Sequence, residues 1–164
     1  MSTKPQVLVL GLGNELLGDD AVGIIITREL HKQLSKFLSH KASFIATNDF
    51  GYALLDLIEG YDKLIVIDSV RVALDEVGSI RVLNLDDLPS GSLLPHELSL
   101  KDLILIGRQI GLKMPSDVKV IAIGVEGSYL QLSRRVKDSL PKILEDVKSL
   151  ILKLIDQHGQ NTIL

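Results

Sequence analysis

The sequence contains no cysteine and no tryptophan. Without thiols there is no disulfide framework, no cysteine nucleophile and no thiolate metal site. Aromatic residues are scarce at 4%, against 46% hydrophobic residues in all, so the apolar content is mainly aliphatic. A chain so rich in groups able to bury is not disordered. An excess of one charge is also missing: 18 basic residues against 21 acidic ones leave a net charge of −3. There is no basic stripe of the kind that nucleic acid requires. No apolar run approaches the ~20 residues that span a bilayer. Sustained heptads are absent and the 13 glycines are scattered, which excludes a coiled coil or a collagen-like rod. The run Val7-Leu8-Val9-Leu10 is too short for a signal-peptide core and enters Gly11-Leu12-Gly13 with no small-residue cleavage site. The expectation is a soluble cytoplasmic protein with no nucleic-acid or membrane partner, monomeric by default. It forms a single domain over residues 1–164, the last eight or so of them frayed.

What is present alternates between strand and helix. Val7 to Leu10 is continuously apolar, as in a parallel strand buried on both faces. Asp19 and Asp20 open a segment with apolar residues at helical spacing, from Val22 to Leu38. Lys41 to Thr47 reads as a second strand and Tyr52 to Ile58 as a short helix closed by Gly60. Leu64 to Ile67 is a third strand, ending at Asp68-Ser69. Gly78 to Leu83 alternates, as a strand nearer an edge does, and Asp86 to Pro95 reads as loop. Leu98 to Ile110 is helical in pattern, Val118 to Val125 is a fifth strand, and Leu130 to Ile155 is helical, with a break or kink expected near Leu140 or a restart with Pro141 in the first turn. The pattern predicts an α/β three-layer sandwich: a twisted, mostly parallel five-stranded sheet with helices on both faces. Ligands in such folds bind beyond the carboxyl ends of the strands.

The first strand ends in a glycine turn, but a dinucleotide loop would need a third glycine at position 16, which is Leu16. Two carboxylates would also repel a pyrophosphate there, so no nucleotide cofactor is expected. Asp19 suits a cap or the dipole of the following helix, leaving Asp20 able to face the crevice. Asp68 closes an apolar strand, where a half-desolvated carboxylate needs a partner, a hydrogen-bond cage or a metal; it could also form the turn at Ser69-Val70. His31 and His40 lie among lysines, as on a solvated face, and His158 is in the tail. His96 differs, since it follows Pro95 just before a helix, where it is either a helix-start residue or a site residue. One imidazole and two carboxylates form a mixed nitrogen–oxygen set suited to nickel, zinc or iron.

The stretch Gly11-Leu12-Gly13-Asn14-Glu15-Leu16-Leu17-Gly18-Asp19-Asp20-Ala21-Val22-Gly23 closely resembles the N-terminal signature of the nickel–iron hydrogenase maturation endopeptidases. The strand ending in Asp68 is similar to their second acidic position. Pro95-His96-Glu97-Leu98-Ser99-Leu100 resembles their histidine motif, and Gly124-Val125-Glu126 with Leu132-Ser133-Arg134-Arg135-Val136 resembles their late strand and last helix. Three positions depart from the pattern: Ala21 where glycine is frequent, Gly127 where proline is common, and Asp20 where some members carry glutamate.

The resemblance implies an endopeptidase that removes the C-terminal extension of a nickel–iron hydrogenase large-subunit precursor after nickel insertion. It implies nickel contacts from Asp20, Asp68 and His96, the metal being supplied by the precursor and serving as the recognition mark. Those three residues are the candidate catalytic set, with the identity of the base left open between Asp20 and Asp68. Asn14 could hydrogen-bond a carboxylate or the substrate backbone, or simply form its turn; Gly51 could let an extended peptide pass close. The alternative from another class is a non-catalytic nickel-checkpoint module that binds the precursor without cutting it.

Overall fold

The computed structural model describes residues 5–88 and 99–160. Five strands form one sheet in the order β2-β1-β3-β5-β4, with β1 at Val7–Leu12, β2 at Ala42–Thr47, β3 at Lys63–Arg71, β4 at Ile80–Asn84 and β5 at Asp117–Val125. β2, β1, β3 and β5 run parallel, and β4 is antiparallel on the edge beside β5. The helices are α1 (Val22–Leu38), α2 (Ala53–Ile58), α3 (Leu100–Gln109) and α4 (Arg134–Gln160).

The continuous apolar strands are explained by the two faces of the sheet. Val7, Val9, Ile65, Ile67, Ile121 and Ile123 pack beneath α1 and α4, which supply Val22, Ile26, Leu30, Val136, Ile143 and Val147. Leu8, Leu10, Leu64, Val66, Val118 and Val120 face the other layer, where α2 and α3 contribute Leu54, Leu55, Ile58, Leu103 and Ile104. Alternate residues of each central strand therefore enter opposite cores, which is why the runs 7–10 and 64–67 are apolar throughout. β4 has no buried residue, in keeping with its alternating sequence. Lys63, 2% exposed at the start of β3, is held by the Leu154 carbonyl at 2.9 Å and by Asp117 at 3.1 Å.

Two expectations are corrected. The chain does not break near Pro141: α4 runs from Arg134 through it to Gln160, so helix continues into the tail expected to fray. Pro141 and Lys137 are both exposed, so the Lys137 carbonyl that loses its helical donor is left to water. The helix also starts later than Leu130, at a cap made by Ser133, whose Oγ accepts the Val136 N–H at 3.3 Å. The second correction is β3, which continues beyond Ile67 because its pairing with β5 persists from Asp68↔Ala122 to Arg71↔Val125.

The glycines of the first signature serve close packing. A Cβ on Gly23 would stand 2.5 Å from the Leu12 carbonyl oxygen and 2.6 Å from that of Ile67, so α1 reaches the strand ends only because position 23 has no side chain. Gly23→Ala is expected to cost about 1–3 kcal/mol through forced backbone movement. The midpoint of urea unfolding measures this, and an unchanged midpoint would show that the helix can shift freely. Among the described residues no helix is long and apolar enough to cross a membrane.

Candidate active site

β1 has β2 on one side and β3 on the other, so the chain leaves it in opposite directions. Such a switch in strand order opens a crevice at the carboxyl ends of β1 and β3. The β1–β3 ladder stops at Gly11↔Ile67, one residue short of Asp68, whereas the β3–β5 ladder continues. Asp68 therefore lies within its strand on one side and at the mouth of the crevice on the other. Its alternation with Val66 turns it toward the α2/α3 layer.

The loop after β1 carries the second carboxylate. Asn14 Oδ1 accepts the Leu16 N–H at 3.0 Å, and the Asn14 carbonyl accepts the Leu17 N–H at 3.0 Å. Asn14 is thus a turn former, the local reading of its sequence position. Glu15 pins the same loop through Arg28 at 2.6 Å and Asn48 at 3.4 Å, contacts that hold its carboxyl below the usual carboxylate range. A Cβ on Gly13 would stand 2.1 Å from the Asp20 carbonyl oxygen, so the loop closes onto the backbone of Asp20 itself.

Asp19 and Asp20 fall in a single 3-10 turn, Gly18–Ala21, just ahead of α1. Asp19 is fully buried and caps no part of its own helix. Its carboxylate accepts three backbone N–H groups from the far end of the chain: Gly127 at 3.0 Å, Ser128 at 3.1 Å and Ser133 at 2.7 Å. The cap reading is corrected accordingly, for Asp19 ties the β5–α4 loop to the first turn. Asp20, next to it, is half-buried and faces the crevice, where its Oδ1 accepts the Ser69 hydroxyl at 3.4 Å.

Asp68 is the electrostatically unusual group. Burial pushes its carboxyl up to about 7; the Ser69 N–H, 2.8 Å from Oδ1, pulls the other way, and the charge of Asp20 adds to the rise. A carboxyl that titrates near neutrality can take up and release a proton there, as a general base must.

Asn14, Asp20, Gly51 and Asp68 all line one cavity of about 470 Å³, with Leu100 and Leu103 of α3 along another wall. Gly51 has φ +61 and open space where a Cβ would be. His96 lies outside the described residues. Among the described residues no group of three histidine, aspartate or glutamate side chains is arranged to hold a metal ion. His31 and His40 are exposed, His31 tilted against Phe44 at 6.4 Å.

A second cavity, about 340 Å³, adjoins the first across Leu17 and Asp20. Ser69, Arg71 and Tyr129 line it, and nothing in their spacing marked Arg71 or Tyr129 beforehand. The departure at Gly127 has its explanation here: a Cβ at that position would stand 2.3 Å from Arg71 Nε.

An acidic crevice at the switch point of an α/β sheet, lined by Asp20 and by an Asp68 whose carboxyl is pushed up by burial, lies where folds of this class take their ligands. Residues 24–150 match the family model described as HycI: Hydrogenase maturation protease. The chain belongs to this family and is a hydrogenase maturation endopeptidase. It is 25% identical over 161 residues to the Hydrogenase 2 maturation protease of Escherichia coli strain K12, a match covering 96% of this chain and 95% of that one. Its fold is similar to that of the hydrogenase maturating endopeptidase HybD from E. coli, with a TM-score of 0.66 at 24% identity over 90% of this chain and 93% of the other. It is also similar to the [NiFe] hydrogenase maturation protease HycI from Thermococcus kodakarensis KOD1, with a TM-score of 0.67 at 19% identity and the same coverage of 90% and 93%.

Proposed function

We propose that this endopeptidase removes the C-terminal extension of a nickel–iron hydrogenase large-subunit precursor after nickel insertion, and that the precursor's nickel is what it recognises. The observation that carries the reading is the pair Asp20 and Asp68 on one cavity, with Asp68 half-buried and driven to about 7. Among the described residues this desolvated carboxylate receives one N–H, that of Ser69, and a cation arriving with the substrate adds to that compensation. Two carboxylates suit a borderline cation, and His96 is the proposed third contact. The substrate's nickel, once held, can polarise the scissile carbonyl or acidify a water.

The chain's own residues do the rest. Asp20, fixed by the loop that Asn14 and Glu15 organise, holds the substrate at the crevice mouth. Asp68, engaging the cation with one carboxylate oxygen, accepts the proton of the attacking water on the other and passes it to the leaving amine. The open space at Gly51 lets an extended peptide lie against the backbone. On this reading the protein meets the precursor in the cytoplasm and acts as a monomer.

Intact-mass spectrometry of the nickel-loaded precursor after incubation with the protein tests the proposal. Loss of one C-terminal peptide is the expected result. An unchanged mass together with a stable complex would replace it with a checkpoint role.

A further inference from the structure

The cavity beyond Asp20 carries a cation on its lining, the exposed Arg71. Arg71, at the end of β3, directs Nη2 to the Gly127 carbonyl at 3.0 Å and to the Tyr129 hydroxyl at 3.1 Å, and its guanidinium lies 5.4 Å from the centre of the Tyr129 ring. Both hydrogen-bond partners are neutral, and among the described residues no carboxylate lies within ion-pair distance of Arg71. A guanidinium carries five N–H donors in a fixed fork, so this one keeps donors for a further acceptor. A Cβ at position 127 would stand 2.3 Å from its Nε, so the glycine lets the guanidinium take this seat without moving. The loop that carries Gly127 is in turn anchored by the buried Asp19. An arginine held in place by neutral partners, stacked on an aromatic ring and lining a cavity, is preorganised for a carboxylate.

We infer that this cavity is a substrate subsite in which Arg71 binds a carboxylate of the peptide. The inference rests on the reading that the adjoining groove, with Asp20 and Asp68, seats the peptide to be cut. The two cavities meet at Asp20, which lines both: Asp68 lies on one side of it, in the groove for the cation-bearing part of the substrate, and the guanidinium of Arg71 lies on the other, for an anion. A peptide carrying a cation and a carboxylate at the matching separation fits in one direction only. The carboxylate comes either from an acidic side chain or from the chain's own C-terminus, both presenting the same pair of oxygens to the same fork.

The test is steady-state cleavage of the nickel-loaded precursor by the full-length protein, comparing wild type with Arg71→Gln and Arg71→Lys. Arg71→Gln should raise KM about tenfold, with most of the loss in kcat/KM appearing there, as removal of a binding contact does. Arg71→Lys, which keeps charge but not the fork, should fall between. Two precursor variants identify the source of the anion. In one, the acidic side chains of the extension are replaced by their amides; in the other, two added serines move the terminal carboxylate away. One of these should lose the same factor with wild-type enzyme and be indifferent to Arg71→Gln. If wild type cleaves but Arg71→Gln keeps its KM, the subsite is wrong while the peptidase reading stands. If Arg71→Gln raises KM equally for all three precursors, Arg71 acts without binding a carboxylate and the inference is also wrong. No cleavage by wild type would instead overturn the peptidase reading.

Discussion

Asp68→Asn is expected to abolish processing and to stabilise the protein at the same time. Loss of a general base typically costs 10²–10⁴ in rate, so kcat/KM should fall by about a thousandfold. The stability effect follows from the direction of the Asp68 shift. An unperturbed aspartate titrates at 3.8, whereas Asp68 in the folded chain titrates at about 7. Between those values the native state holds a proton that the unfolded chain has lost, so this group's contribution falls as pH rises and levels off above the native value. Asparagine carries no such penalty. The variant should gain about 2 kcal/mol over wild type at pH 8, after allowing for the partial exposure of the site, and the gain should vanish below about pH 4. Urea unfolding at a series of pH values, beside the mass assay, reads both effects. A variant that still processes the precursor, or whose stability difference ignores pH, would remove Asp68 from its assigned role.

Asp19→Ala should produce the largest loss of stability. The wild-type carboxylate is fully buried and accepts three backbone N–H groups, at 2.7, 3.0 and 3.1 Å. Truncation leaves those donors without their partner, and each such loss costs about 1–3 kcal/mol. Partial relaxation toward water brings the expected total to about 3–5 kcal/mol, a large part of the ~5–15 kcal/mol that holds a typical domain together. Hydrogen exchange locates the effect: the amides of Gly127, Ser128 and Ser133 should lose protection before the strands do. Cleavage should weaken as well, because the same turn carries Asp20 and the same loop seats Arg71. Unchanged exchange at those amides would mean that other contacts hold the loop.

The contrast between Asp19 and Asp20 shows what the sequence could convey. Continuous apolar runs made β1 and the core of β3 legible, since only a strand covered on both faces needs them. The edge position of β4 followed from its alternation. Asp68 was legible because it follows such a run, at the end where ligands gather; Asp20 was legible from its place after the glycine turn, one position beyond the residue read as a cap. Asp19 was read as a cap, because its three partners lie 108 to 114 residues away and carry no side-chain signature. β3 looked shorter than it is because Asp68, Ser69 and Arg71 are polar; the pairing with β5 that extends it is a tertiary contact. Leu130 fitted the helical period of α4 but is 95% exposed, and the helix waits for the Ser133 cap. Arg71 had no motif at all. Its meaning comes from the space at Gly127 and the ring of Tyr129, which only the folded loop brings to it.

On the proposed reading, the precursor's nickel gates its own processing through the acidic crevice. The most direct measurement is the intact mass of one precursor, nickel-loaded and nickel-free, followed in time with the wild-type protein. Nickel gating predicts loss of the C-terminal peptide from the loaded form alone. Equal cleavage of both forms would contradict it, showing a peptidase that reads the polypeptide and ignores the metal.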